Sequence, residues 1–219
     1  MLNLPAISGA TVAREPFDYF IADGVVSTDA AAAMSVDFPS ITGTGSFPIS
    51  QLQYGAVFQA LVEELRSAAF ARVIGDLLRC NLENLPQLIT ARGRSGPRDG
   101  FVHTDSTWKI VTTLLYLNTD WSDDGGRLRL LRSTDIEDVA AEVPPRWGTL
   151  VAFRRSDNSF HGHLPFHGER RLVQVNWVPD AIYVRREERR HRRSAALKAV
   201  VRTLYAGRTR TPPDAYRDR

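Results

Sequence analysis

A nearly continuous run of apolar and β-branched residues spans positions 109–117. Such a run is typical of a strand that is buried on both faces, so other layers of the protein must cover both of its sides. A chain of 219 residues, 43% of them hydrophobic, can bury a core of this kind without disulfides. The sequence therefore predicts a sheet protein in which this strand lies in the interior.

The patterns on either side of Leu85-Pro86 differ in period. Before it, Ser27-Thr28-Asp29 precedes an alanine run and predicts a capped helix start, and the apolar spacing predicts helices at about 50–67 and 68–79. After it, a glycine-rich stretch at 92–100 and Asp-Asp-Gly-Gly at 123–126 predict a loop and a turn. Strand patterns occupy residues 87–91, 109–117, 128–130, 149–153 and 171–178. This order predicts an α+β fold, with helices mainly at 27–80 packed outside a β-sandwich or jelly roll at about 85–180.

The charge is distributed unevenly along the chain. Its formal net charge is +3, but residues 181–219 hold 12 Lys and Arg against 4 Asp and Glu. We therefore divide the chain into a domain at 1–180 and a basic C-terminal helix and tail at 181–219. The arginine-rich stretch 185–193 predicts solvated first turns, and Leu197, Val201 and Leu204 predict later turns that dock on the β-core or on a second subunit in a homo-oligomer. The alternative is a basic segment that binds nucleic acid, an anionic membrane or an acidic partner.

The chain has few features of an exported or membrane protein. Cys80 is its single cysteine, which leaves no partner for an internal disulfide and favours a reducing compartment. No apolar run reaches the ~18 residues that a membrane span needs. The first residues lack the basic and apolar regions of a signal peptide. We expect a cytoplasmic protein.

Histidines and acidic residues give the strongest chemical signal. His103-Thr104-Asp105 lies at the mouth of a predicted strand, and a second segment runs from His161 through Pro165 and a Gly-Glu turn to two arginines and a strand that ends at Trp177. Two histidines and one carboxylate form the facial triad of non-haem Fe(II) oxygenases, which leaves three metal positions open. An arginine near such a metal can bind a carboxylate through two parallel hydrogen bonds.

These segments, taken in order, resemble the Fe(II)/2-oxoglutarate-dependent dioxygenases in their prolyl-4-hydroxylase-like branch. The resemblance covers roughly residues 15–180. It is carried by the segments Pro16–Val26, Phe101–Asp105, Leu114–Asn118, Gly125–Leu130, Gly148–Phe153 and His161–Trp177. It implies a double-stranded β-helix core of the jelly-roll or cupin-like type.

The resemblance also implies the site residues and the reaction. His103, Asp105 and His161 would be the iron ligands, and Arg171 and Tyr116 would bind the distal carboxylate of 2-oxoglutarate. Arg171 lies six residues before Trp177, which is the family's spacing, but the turn before the arginines is one residue short, so Arg170 stays open as the alternative. The cofactors would be Fe(II), 2-oxoglutarate as co-substrate and O₂. The enzyme would be a dioxygenase that hydroxylates a small molecule or a protein side chain and releases succinate and CO₂.

Several polar residues near these motifs have a less specific interpretation. His163 and His167 are expected on the surface or as hydrogen-bond donors behind the ligands, and His163 has the alternative of a substrate contact. Arg92, Arg94 and Arg98 are expected in a solvated loop, with the alternative that they hold an anionic substrate. Trp108 is expected to serve packing.

Two other functions remain open from the sequence. A cupin-like metal protein that is not an oxygenase would have the same triad without needing Arg171 or Tyr116. A nucleic-acid-directed oxygenase would use the basic tail, but the alkylation-repair branch has a second arginine six residues after the first, where this chain has Trp177. Nucleic acid is therefore the less favoured partner.

Overall fold

Two antiparallel sheets pack face to face, and helices cover the outer face of the larger sheet. The structure, a computed structural model, describes residues 1–97 and 99–192. The helices are α1 (Leu4–Ser8), α2 (Ala31–Asp37), α3 (Ala56–Arg66) and α4 (Ala68–Leu78). The strands are β1 (Val12–Ala13), β2 (Tyr19–Ala22), β3 (Phe47–Pro48), β4 (Gln87–Ser95), β5 (Val111–Tyr116), β6 (Leu128–Leu131), β7 (Val139–Val143), β8 (Leu150–Arg154), β9 (His161–Gly162) and β10 (Gly168–Trp177).

The larger sheet has the strand order β1-β2-β8-β5-β10-β4-β3, and the smaller has the order β7-β6-β9. All the strand pairs are antiparallel. A core between the sheets takes side chains from both, such as Leu114 from the larger sheet and Leu130 from the smaller. The predicted α+β architecture, with packed antiparallel sheets and helices outside them, is confirmed.

Strand β5 lies in the middle of the larger sheet, as its sequence predicts. Every residue from Val111 to Tyr116 is buried. Val111 and Leu115 join the core under the helices, while Leu114 and Tyr116 join the core between the sheets. Because successive strand residues point to opposite faces, a strand covered on both sides needs an apolar residue at nearly every position.

The helical region agrees with the sequence except at one boundary. Ser27 caps the first turn by accepting a hydrogen bond from the Asp29 backbone N–H, and α4 occupies 68–78 as predicted. The helix predicted from about residue 50 begins only at Ala56, after Gly55 as the N-cap residue. Tyr54 still packs on Phe58, with 5.0 Å between ring centroids, so the apolar spacing continues before the helix starts.

Strand β4 is longer than predicted. Its sequence favoured a loop from Arg92, but the strand continues to Ser95 because it pairs with β10 along most of its length. Gly93 does not mark a turn there. A Cβ at Gly93 would lie 2.9 Å from the Cβ of Ile41, so the glycine allows close packing against the segment before β3.

Residues 181–192 form a helix that contacts the domain from its first turns. Tyr183 stacks on Trp108 with 5.4 Å between ring centroids, and the Ser50 hydroxyl donates a hydrogen bond to Glu188 over 2.6 Å. The expectation that these first turns are only solvated is therefore wrong, although Arg185 and Arg189 are exposed. The predicted docking residues Leu197, Val201 and Leu204 lie outside the described residues. Within the described ranges, no helix is long and apolar enough to cross a bilayer.

Candidate active site

The structure brings together the three residues that the sequence predicts as metal ligands. His103, Asp105 and His161 each offer one ligand atom, and these atoms lie within 4.8 Å of one another. We call these residues the triad. Two backbone hydrogen bonds of 3.1 and 3.0 Å join His103 to His161, so a short antiparallel bridge aligns the two imidazoles. Asp105 follows in the segment that leads into β5.

The hydrogen bonds of the two imidazoles free the same ring nitrogen on each. The Nδ1 of His103 lies 2.7 Å from the carbonyl oxygen of Phe101, and the Nδ1 of His161 lies 3.0 Å from that of Ser159. A carbonyl can only accept, so each Nδ1 carries the proton and each Nε2 has a free lone pair. Metal-binding histidines commonly have this arrangement, in which the second nitrogen is held by a carbonyl or carboxylate.

Asp105 is held as a buried carboxylate by two donors. The Lys109 ammonium donates to Oδ1 over 2.6 Å, and the Thr112 hydroxyl donates to Oδ2. Burial on its own would raise the pKa of Asp105, but the charges of Lys109 and His161 and the two hydrogen bonds outweigh it, so the pKa is lowered. Asp105 is therefore ionised at neutral pH and able to bind a cation.

The charge state of His161 also suits a metal ligand. Burial lowers the pKa of His161 to about 4, against the opposing charge of Asp105. The imidazole is therefore neutral at physiological pH, which is the form that coordinates a metal. The residues present fit a divalent metal that takes two nitrogen ligands and one oxygen ligand and keeps open positions.

A cavity of about 190 Å³ runs from the triad between the two sheets. At one end it is lined by the triad, Lys109 and Thr112, and at the other by Arg170 and Arg92. Its floor is formed by Leu114, Leu172 and Gln174 and its other wall includes Leu128, Gly100 and His163. The cavity is thus apolar in its middle and charged at both ends.

Arg170, which the sequence left as the alternative, is the arginine that lines this cavity. Its side chain is buried, its Nε donates to the carbonyl of Gly126 over 2.8 Å, and its Nη2 donates to the hydroxyl of Tyr116 over 3.2 Å. Tyr116 is fully buried, and burial raises its pKa while the charge of Arg170 opposes the rise. No carboxylate among the described residues forms an ion pair with Arg170.

Arg171, the favoured choice from the sequence, lies on the opposite face of β10. Its guanidinium pairs with Glu169 at 2.9 Å, donates to the Ser35 hydroxyl at 3.0 Å and lies over the ring of Phe38. The spacing of six residues does place Arg171 on the same face as Trp177. That face, however, packs against the helices, where Trp177 stacks on Phe70.

The other polar residues near the motifs are also placed by the structure. His163 is buried and lines the cavity, whereas His167 is exposed. Arg92 lines the cavity from β4, while Arg94 lines a separate surface cavity with Arg171. Arg98 lies outside the described residues.

Sequence reasoning missed Lys109 and Thr112 as partners of the triad. Both belong to the apolar run whose spacing predicts a buried strand, so nothing in their local pattern marks them as polar contacts. They become partners of the triad because the Asp105 side chain lies against the start of β5, where both of them donate to its carboxylate.

Comparison with known proteins identifies the region that contains this site. Residues 95–179 match the model of the 2OG-Fe(II) oxygenase superfamily. This part of the chain is therefore similar to the 2OG-Fe(II) oxygenases. The match includes the triad, Tyr116 and both arginines, and the enzyme class and cofactors expected from the sequence are those of this superfamily.

Solved structures support the fold. The chain is similar to a prolyl-4-hydroxylase from Pseudomonas putida, with a TM-score of 0.52, 24% identity, and coverage of 74% of this chain and 92% of the other. It is also similar to the iron-bound structure of HygX from Streptomyces hygroscopicus, with a TM-score of 0.51, 13% identity, and coverage of 74% and 82%. Among curated proteins, none matches this sequence.

Proposed function

We propose that this protein is an Fe(II)- and 2-oxoglutarate-dependent dioxygenase that hydroxylates a small molecule or a protein side chain. The observation that carries the proposal is one cavity with a metal-ligating triad at one end and a buried arginine without an acidic partner at the other. A ligand with a metal-chelating group and a carboxylate at opposite ends fits this distribution of charge. 2-Oxoglutarate has this form, since its 2-oxo acid group and its distal carboxylate lie at opposite ends of a short chain.

The triad would hold the iron. When bound, Fe(II) with 2-oxoglutarate and O₂ supplies the oxidation that places a hydroxyl on the substrate while the co-substrate becomes succinate and CO₂. Lys109 and Thr112 keep the Asp105 carboxylate fixed in direction and ionised. The carbonyls of Phe101 and Ser159 keep the Nε2 lone pairs of the histidines free.

Arg170 and Tyr116 would bind the distal carboxylate. Arg170 is 3% exposed and has no acidic partner among the described residues, so its charge is costly to bury, and an anionic ligand lowers that cost. The Tyr116 hydroxyl accepts a hydrogen bond from Arg170, so its own proton remains available for a carboxylate oxygen. Leu114 and Leu172 between the two ends exclude water from the middle of the co-substrate.

A substrate-independent assay tests this function. Purified protein with Fe(II), 2-oxoglutarate and O₂ should release succinate. In a screen of metabolites and peptides, the rate of release should rise when a compound that the enzyme hydroxylates is added. The Asp105→Ala variant should release none. Metal-loaded protein that binds no 2-oxoglutarate and forms no succinate would instead favour a cupin-like metal protein that is not an oxygenase.

The proposal also covers the class of substrate, the cellular compartment and the assembly of the protein. The solved relative from Pseudomonas putida is a prolyl-4-hydroxylase, which supports a protein side chain as one substrate class. Nucleic acid remains less favoured, because the position six residues after Arg170 is the uncharged Asn176. We place the protein in the cytoplasm on its single cysteine. The C-terminal helix is the surface that we propose for a homo-oligomer.

A further inference from the structure

The second arginine of the cavity, Arg92, has no role in the function proposed above. It lies on β4, and β4 and β5 flank β10 on its two sides. Leu172 of β10 is paired with Tyr116 of β5 and with Arg92 of β4. The three residues therefore form one row across the sheet, in which Tyr116 and Arg92 stand on either side of Leu172.

This row lies at the distal end of the cavity. Strand β5 begins beside the triad, where Thr112 contacts Asp105, and reaches Tyr116 four residues later. At ~3.4 Å per residue this places the row about 14 Å along the strand from the Thr112 position. Arg92 is therefore at the level of the proposed carboxylate subsite and not at the level of Thr112 and Asp105.

Arg92 is half-buried and only partly neutralised. Its side chain is 19% exposed, and its guanidinium pairs with Asp99 over 3.2 Å and lies 3.4 Å from the Ser95 hydroxyl. Burial lowers the pKa of Arg92, and the charge of Arg170 lowers it further while Asp99 raises it. At this end the cavity thus has two guanidiniums and one carboxylate, which leaves one positive charge for an anionic ligand to balance.

We infer that Arg92 is a second cationic residue of the distal carboxylate subsite, opposite Arg170 and Tyr116 across Leu172. The inference rests on the proposed function. One carboxylate of a ligand, added to that of Asp99, balances the two guanidiniums. Arg92 then favours a dicarboxylate 2-oxo acid over a monocarboxylate of the same length, because only the former brings the balancing charge.

A purely structural role for Arg92 makes a different prediction. Asp99 also accepts a hydrogen bond from the Gly96 backbone N–H over 2.9 Å, so the Arg92–Asp99 pair could serve only to fix the backbone at Gly96. In that case removal of either partner should have the same effect on the cavity. If Arg92 instead attracts the ligand, removal of Asp99 frees its charge and should not weaken binding.

The experiment measures ligand binding to protein loaded with Mn(II), which keeps the metal site filled without turnover. Calorimetric titration with 2-oxoglutarate compares wild type with Arg92→Met, Asp99→Asn and the matched control Arg94→Met on the same strand. We expect Arg92→Met to bind about 10-fold or more weakly, as for loss of a charge-assisted hydrogen bond of about 1.5–3 kcal/mol. Asp99→Asn should bind equally or more tightly, and Arg94→Met should bind as wild type does.

A second ligand separates an effect on the carboxylate from a general effect on the cavity. 2-Oxopentanoate has a methyl group in place of the distal carboxylate, so Arg92→Met should bind it as wild type does. Equal loss in Arg92→Met and Asp99→Asn, or unchanged 2-oxoglutarate affinity in Arg92→Met, would overturn the inference while wild type still binds. Failure of the wild-type protein to bind 2-oxoglutarate would overturn the proposed function itself.

Discussion

Replacement of Arg170 by methionine should remove most of the affinity for 2-oxoglutarate. The side chain is 3% exposed, and its Nη2 already donates to the Tyr116 hydroxyl at the proposed carboxylate subsite. Truncation of one partner of a buried, hydrogen-bonded charge pair costs about 2–5 kcal/mol, which is roughly a 30-fold to 4,000-fold loss of affinity. Methionine keeps much of the arginine's apolar volume, so the change tests the charge and the hydrogen bonds.

The assay is calorimetric titration of Mn(II)-loaded protein with 2-oxoglutarate. Arg171→Met is the matched control, because the neighbouring arginine lies on the other face of β10, where it pairs with Glu169. An exposed pair of this kind contributes about 0–1 kcal/mol to stability, and its loss should leave the affinity unchanged. Thermal unfolding of both variants checks that they are folded.

One pattern of results would refute this reasoning. If Arg171→Met loses the affinity while Arg170→Met keeps it, the face assignment of β10 is wrong. The Tyr116→Phe variant gives an internal check, since loss of one hydrogen bond should cost about 0.5–1.5 kcal/mol, less than the loss of the charge.

Other outcomes test the metal site, the buried histidines and the C-terminal helix. Alanine at any member of the triad should abolish Mn(II) binding in calorimetry, whereas His163→Ala should retain it. The pKa of His161 and of His163 is lowered to about 4, mainly by burial, from 6.5. Between these pH values the unfolded chain binds more protons than the folded one, so the free energy of unfolding of the apoprotein should fall as pH falls, by up to roughly 3 kcal/mol per histidine, with a shallower slope in His163→Gln. Tyr183→Ala, which removes the ring stacked on Trp108, should lower the melting temperature but leave metal binding intact; an unchanged melting temperature would mean that this contact does not stabilise the domain.

The sequence predicts the architecture well where local patterns coincide with burial. The run at 109–117 predicts a strand covered on both sides, and β5 is buried at each position. The triad can also be predicted from the sequence, because His103 and Asp105 are two residues apart and His161 begins a segment whose spacing to Pro165 and Trp177 resembles that of a known family. Such features depend on residues that are near one another along the chain.

The assignment of the carboxylate-binding arginine could not be made from the sequence. A period of two tells which residues share a face, and it places Arg171 with Trp177 correctly. It does not tell which face of β10 turns to the cavity, since both faces are buried and both contain apolar residues. That choice is made by the packing of Trp177 on Phe70 of α4, a contact between distant parts of the chain.

The position of Arg92 was hidden for a related reason. Its glycine-rich surroundings are typical of a loop, and only the pairing of β4 with β10 extends the strand to Ser95. Long-range pairing thus overrides the local preference, and an arginine expected in solvent becomes part of the cavity wall.

The most direct test of the account is the visible spectrum of the Fe(II) protein without oxygen. Addition of 2-oxoglutarate should produce a metal-to-ligand charge-transfer band, because the 2-oxo acid can chelate an iron that is held by only three protein ligands. The band should saturate at one 2-oxoglutarate per iron, be absent in Asp105→Ala, and decay on exposure to O₂ with formation of succinate. Wild-type protein that binds Fe(II) but develops no band at saturating 2-oxoglutarate would contradict the account.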